Sequence, residues 1–149
     1  MISFTYLYGD RPIVATERNS AVQEETKPII YIVDDDESVL KAMQRLIRSM
    51  NMEVKTFALG QEFLDSGFRD KNACLIADIK MPVMGGMEIQ KKLLAQGSKL
   101  PVIFITAFDS KNLRSQAKEA GAAGYFQKPV DGQALLDLIQ WALSNQEIS

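Results

Sequence analysis

Histidine is absent from these 149 residues, and cysteine occurs once. Without imidazole there is no histidine-based catalytic triad and no histidine-ligated zinc site. A metal held by this chain is expected to take oxygen ligands, which suits magnesium, calcium or manganese. A single thiol forms no intramolecular disulfide, so Cys74 reads as a small buried hydrophobe in a reducing compartment. Charge of either sign is not in excess: the formal net charge is −2, and no basic nucleic-acid footprint is visible. No apolar run approaches the ~20 residues of a membrane span. The start lacks the basic residues and long apolar region of a secretory signal. The expected location is cytoplasmic, with no membrane partner and no direct nucleic-acid binding.

What remains is an ordinary globular composition, 46% hydrophobic and 24% charged, long enough to bury one sizeable core. Residues 1–27 read as a loosely attached extension. Within it Ile2 to Tyr8 has strand propensity, and Thr16 to Lys27 is polar and charged like a linker. A domain is expected over residues 28–145, with a short tail at 146–149.

Inside that domain, apolar runs alternate with helical periodicity. Ile29 to Val33 predicts a first buried strand. Val39, Leu40, Met43, Leu46, Ile47 and Met50 recur at helical spacing, predicting a helix from about Glu37 to Met50. Glu53 to Phe57 reads as a second strand and Gln61 to about Ser66 as a second helix. Cys74 to Ala77, closed by Asp78, is a third strand buried on both faces. Met87 to Gln96 is a helix, Pro101 to Thr106 a fourth strand. Asp109 to Ala120 is a helix with a thin inward stripe of Leu113, Ala117 and Ala120. Gly124 to Phe126 is a fifth strand, and Asp131 to Asn145 a last helix with Leu135, Leu138, Ile139 and Ala142 inward. Five strands and five helices joined by crossovers give an α/β fold: a doubly wound parallel five-stranded sheet of the flavodoxin-like (βα)5 type, strand order 2-1-3-4-5.

The strand ends carry the chemistry. Asp34 and Asp35 end the first strand, Asp78 the third and Thr106 the fourth, and Lys128 follows the fifth. In an open parallel sheet these ends share one edge, and the crevice between strands one and three is where ligands bind. Three carboxylates this close repel one another. A divalent cation relieves that, and magnesium takes one or two carboxylates while keeping sites for water or phosphate oxygens. Lys128 and Thr106 suit further phosphate oxygens, and an aspartate can attack a phosphoryl group. Taken singly, the acids could be helix caps, Thr106 strand packing and Lys128 a solvated turn; their shared edge argues for the site.

The run IVDDDESV, the D-x-x-M-P-x-M-x-G pattern of Asp78 to Gly86, VIFITA and AGAAGYFQKP together resemble a two-component response-regulator receiver domain of the CheY-like superfamily. The likeness covers residues 28 to 145 and is nearest to FixJ-type receivers. It implies phosphorelay signalling in which Asp78 accepts a phosphoryl group from a histidine kinase. It implies Mg²⁺, with Mn²⁺ as a substitute, on Asp35, Asp78 and the Lys80 backbone carbonyl, with Asp34 acting through a water. Thr106 and Tyr125 would be the switch pair and Lys128 the phosphate-pairing lysine, followed by a cis Lys128-Pro129 bond. Catalysis would extend only to the protein's own phosphorylation and dephosphorylation. The face of the fourth helix, fifth strand and fifth helix would change on phosphorylation and control output, partner binding or a homodimer. Lys80 and Phe108 flank the site and could tune water access.

Two other readings compete. Asp34 to Ser38 loosely fits the D-x-D-x-[TS] nucleophile motif of haloacid-dehalogenase-type phosphatases, but no further acidic metal pair follows Lys128, and Asp78 is left unexplained. A receiver-like module that binds partners without taking phosphate is the other; such modules usually lose an acid or the lysine, and this chain keeps them all.

Overall fold

The chain's longest all-apolar stretches became its central strands. The computed structural model describes residues 27–148. Five parallel strands and five helices alternate as β1 (Ile29–Val33), α1 (Glu37–Arg48), β2 (Glu53–Phe57), α2 (Gly60–Leu64), β3 (Ala73–Asp78), α3 (Gly86–Ala95), β4 (Val102–Thr106), α4 (Lys111–Glu119), β5 (Gly124–Gln127) and α5 (Gly132–Ile148). The sheet order is β2-β1-β3-β4-β5, the flavodoxin-like order expected from the sequence. The extension's strand-like segment, Ile2 to Tyr8, lies outside the described residues.

Burial follows position in the sheet. Every residue of β1, β3 and β4 is buried, as strands covered on both faces require. The edge strand β2 alternates at its start, with Val54 buried between exposed Glu53 and Lys55. Side chains alternate across the sheet, so they divide between two cores. Ile30, Ile32, Cys74, Ile76, Ile103 and Ile105 pack under α1 and α5. Tyr31, Val33, Leu75, Ala77 and Phe104 pack under α2, α3 and α4. Burying each large aliphatic or aromatic side chain contributes about 1.5–3 kcal/mol. Register is therefore strongly fixed, since a one-residue slip would exchange the two sets.

Helix ends depart from the expected bounds where capping outweighs periodicity. α1 stops at Arg48, with Ser49 as its C-cap and Asn51 at φ 62°. Met50 therefore lies beyond the helix and is 42% exposed, outside the inward stripe expected for it. α2 is shorter than expected and ends at Leu64. α4 begins at Lys111 because Ser110 caps it, Oγ accepting the Leu113 N–H at 3.0 Å. Of its expected stripe Ala117 is buried, while Leu113 and Ala120 are partly exposed. Asp131 starts α5 as a cap, its Oδ1 accepting the N–H groups of Gln133 and Ala134. The helix continues to Ile148, so most of the expected tail is helical. Leu136 and Leu143 widen its buried face, and Leu138 is partly buried. No helix among the described residues is long and apolar enough to cross a membrane.

Candidate functional site

The parallel register brings the C-terminal ends of β1, β3 and β4 to one edge, pairing Val33 with Ala77 and Asp78 with Ile105. The acid run after β1 then divides its labour. Asp34 is fully buried, and its Oδ1 accepts the Asp36 N–H at 2.9 Å. Asp35 is exposed. Asp36 is the N-cap of α1, its Oδ1 accepting from the Ser38 N–H at 2.9 Å and the Ser38 hydroxyl at 2.7 Å. Those hydrogen bonds from Ser38 hold the Asp36 carboxyl below its ordinary pKa.

Asp34, Asp35 and Asp78 each offer a carboxylate oxygen within 4.8 Å of the others. Lys128 enters between two of them: its Nζ lies 2.8 Å from Asp34 Oδ2 and 3.0 Å from Asp78 Oδ2. The Lys80 N–H donates to Asp78 Oδ1 at 3.2 Å. Burial is the largest influence on Asp78 and raises its pKa; Asp34 raises it further, against the opposing pull of Lys128. Burial works against the Lys128 charge, but its contacts with Asp34 and Asp78 outweigh it and raise the ammonium's pKa. The buried Asp34 Oδ2 meets the Lys128 ammonium in that charge-assisted contact of 2.8 Å and has no other donor among the described residues. The Lys128-Pro129 bond after β5 is cis, as expected.

The loop from Ile79 to Gly85 is shaped by its glycines. A Cβ on Gly85 would lie 2.1 Å from the Ile79 carbonyl oxygen, and one on Gly86 would lie 2.9 Å from that of Asp78. Only glycine lets α3 begin this close to the end of β3. Val83 takes φ 71°, with the Met84 N–H bonded to the Pro82 carbonyl at 2.8 Å, a strained γ-turn for a β-branched residue.

Thr106 and Tyr125 are held by the loop after β4. Thr106 is fully buried, and its Oγ1 accepts the Phe108 N–H at 3.0 Å. The Tyr125 hydroxyl donates to Asp109 Oδ1 at 2.9 Å, and Arg114 Nε approaches the same oxygen at 3.2 Å. Desolvation, then the Asp109 carboxylate, raises the Tyr125 pKa. Phe108 is 67% exposed. Thus Asp34, Asp35, Asp78, Lys128 and the Lys80 backbone converge, whereas Thr106 and Tyr125 are engaged elsewhere. Sequence reasoning missed Asp109, which it took for the first residue of the fourth helix. The adjacent Ser110 is as good an N-cap residue as Asp109, and in the structure it takes the cap and frees Asp109.

Residues 30–140 match the response regulator receiver domain. The chain belongs to that family. It is 39% identical over 119 residues to the response regulator protein TmoT of Ectopseudomonas mendocina, covering 80% of this chain and 54% of that one. It is 30% identical over 114 residues to the transcriptional regulatory protein FixJ of Azorhizobium caulinodans, covering 76% and 54%. The crystal structure of a CheY-like response regulator receiver domain protein from Methanospirillum hungatei superposes with a TM-score of 0.74 at 30% identity, covering 82% of this chain and 98% of that one. The chain spans about half the length of the curated relatives it matches. Receiver domains act in two-component signalling, interact with histidine kinases and are regulatory proteins. Phosphorylation, and Mg²⁺ at an acidic pocket, are general in the family. The phosphatase reading with Asp34 as nucleophile is not favoured by this match.

The receiver's acids fit such an ion. The donor set is all oxygen, the spacing of at most 4.8 Å lets the carboxylates share one small cation, and Asp34 Oδ2 has the Lys128 ammonium as its one donor among the described residues. Oxygen donors with room for waters are what magnesium takes.

Proposed function

We propose that this receiver accepts a phosphoryl group on Asp78 from a histidine kinase. The observation that carries the proposal is the Asp78 carboxylate, at the end of a central strand, flanked at once by two further carboxylates and by Lys128 Nζ at 3.0 Å. In the step, an Asp78 oxygen attacks the phosphorus of a phosphohistidine. The O–P bond forms, the P–N bond breaks, and the imidazole leaves with the electron pair. Positioning and charge neutralisation supply most of the catalysis in such transfers.

Each residue has its part. Asp35, Asp78 and the Lys80 carbonyl would hold Mg²⁺ directly, and Asp34 through a bound water; Mn²⁺ would serve in the same donor set. The ion when bound neutralises charge on the transferring oxygens. Lys128 exchanges its contact with the Asp78 carboxylate for one with a phosphoryl oxygen, keeping Asp34 as its partner. Thr106 gives up its acceptance from Phe108 and turns its hydroxyl to the phosphoryl group, and Tyr125 follows. A groove of about 510 Å³ beside Lys128, lined by Val39, Met43, Leu46, Pro129 and Leu135, suits the apolar side of a kinase helix bringing its histidine to Asp78.

The α4, β5 and α5 face is the expected readout. α4 is weakly buried, with Ala117 its one fully covered residue among those described, and weakly anchored elements move at low cost. Phosphorylation would shift that face and promote a homodimer or a partner contact. TmoT is a response regulator and FixJ a transcriptional regulator; control of transcription through an output domain is the corresponding role here. Beryllofluoride, a mimic of the phosphoryl group, tests the reading. Calorimetry should show binding that requires Mg²⁺ and is lost in Asp78→Ala. Equal binding by that variant would refute the assignment, and absence of binding by the wild type would favour a receiver-like module that takes no phosphate.

A further inference from the structure

The connection between β4 and α4, residues 107–110, touches both members of the proposed switch pair. Phe108 donates its N–H to Thr106 Oγ1 at 3.0 Å. Asp109 accepts the Tyr125 hydroxyl at 2.9 Å. Arg114, near the start of α4, reaches the same Asp109 oxygen at 3.2 Å. Ser110 then caps the helix through Leu113. One short connection therefore ties β4, β5 and α4 together through polar contacts.

These ties are not core packing. Arg114 is exposed, and the Asp109 side chain and Tyr125 are only partly buried. Asp109 is also outside the carboxylate cluster, so it has no part in holding a cation there. Its one carboxylate oxygen serves a hydroxyl on β5 and a guanidinium on α4. Such a contact fixes the relative position of two elements while contributing little to the fold as a whole.

We infer that Asp109 is a latch, a positioning residue that holds Tyr125 and the start of α4 in the unphosphorylated arrangement. The inference rests on the proposed phosphoacceptor role of Asp78 and adds a residue to it. For Tyr125 to follow Thr106, its hydroxyl must leave Asp109. The latch therefore stabilises the resting state selectively, and its loss raises the population of the active one. A receiver that is more often in its competent arrangement takes phosphate from a small donor faster, in proportion to that population.

The test uses the full chain as wild type, Asp109→Ala, Asp109→Glu, Tyr125→Phe and the double variant Asp109→Ala with Tyr125→Phe. The rate of mass gain from acetyl phosphate with Mg²⁺ should rise about fivefold in Asp109→Ala, the scale of one partly exposed hydrogen bond. Tyr125→Phe should give part of that rise, since Asp109 then keeps Arg114, the double variant should match Asp109→Ala alone, and Asp109→Glu should restore the slow rate. Non-additivity is the signature of one shared contact. An unchanged rate in Asp109→Ala, or effects that multiply in the double variant, overturns the latch. Amide exchange across residues 107–119 without any donor gives a second readout. It should quicken in Asp109→Ala and to a smaller extent in Tyr125→Phe, and unchanged exchange in Asp109→Ala overturns the latch as well. If no protein gains mass, the phosphoacceptor reading fails by itself, and amide exchange still decides the latch.

Discussion

A Cβ on Gly85 would lie 2.1 Å from the carbonyl oxygen of Ile79. The Gly85 N–H is in turn held by the Glu88 carboxylate at 3.2 Å. This approach shapes the loop that presents Lys80 to the site. Gly85→Ala should force the backbone apart and cost at least about 2 kcal/mol, as overpacking does. Urea denaturation should show a lower midpoint, and phosphorylation by acetyl phosphate should slow. An unchanged midpoint would mean that the loop yields without cost.

Val83 makes the opposite case in the same loop. Its φ of 71° strains a β-branched residue, and its side chain is 95% exposed, so no packing is lost by removing it. Val83→Gly should stabilise the protein by about 1 kcal/mol, relief of strain exceeding the entropy glycine adds to the unfolded chain. A rise of about 3 °C in Tm is the expected reading at this chain length. A fall would show that the turn is not strained.

Much of this was legible in the sequence because the physics is one-dimensional. Apolar runs ending in Asp34, Asp78 and Thr106 fix both the strands and the edge where the acids meet. A parallel sheet then needs no further information to gather them. Less legible was the division within Asp34, Asp35 and Asp36, since three adjacent acids look alike until α1 chooses Asp36 as its cap. Tyr125 and Asp109 were not paired in advance, because their contact spans 16 residues and depends on where α4 begins. Met50 fitted the helical period, yet the turn at Asn51 came first. Periodicity reports faces well and ends poorly.

Lys128 is the countercharge of the acid cluster, so its removal has a pH signature. In Lys128→Met, Asp34 and Asp78 lose their shared cation, and breaking such a pair costs about 3 kcal/mol. Asp78, already raised by burial, should rise further. A carboxyl with a raised folded pKa stabilises the fold fully below its unfolded pKa, and that contribution is lost as pH rises through the folded value. The variant's deficit in denaturation should therefore be larger at alkaline than at acid pH, and Mg²⁺ should recover part of it. A deficit independent of pH would show that the loss is of packing alone.

Cys74 provides a check on the core. It is fully buried in β3, and burial pushes its thiol up to about 12. The thiolate is the reactive form. Iodoacetamide at neutral pH should leave the folded protein unmodified and alkylate it once unfolded in guanidinium. Rapid alkylation of the folded protein would place Cys74 at the surface and contradict the strand assignment.

The central claim is that Asp78 takes the phosphoryl group, and intact mass after acetyl phosphate treatment with Mg²⁺ measures it most directly. Wild type should gain the mass of one phosphoryl group, Asp78→Asn should gain none, and Asp34→Asn should still be modified, though more slowly. Undiminished modification of Asp78→Asn, or its loss in Asp34→Asn with peptide mapping to Asp34 in the wild type, would contradict the account.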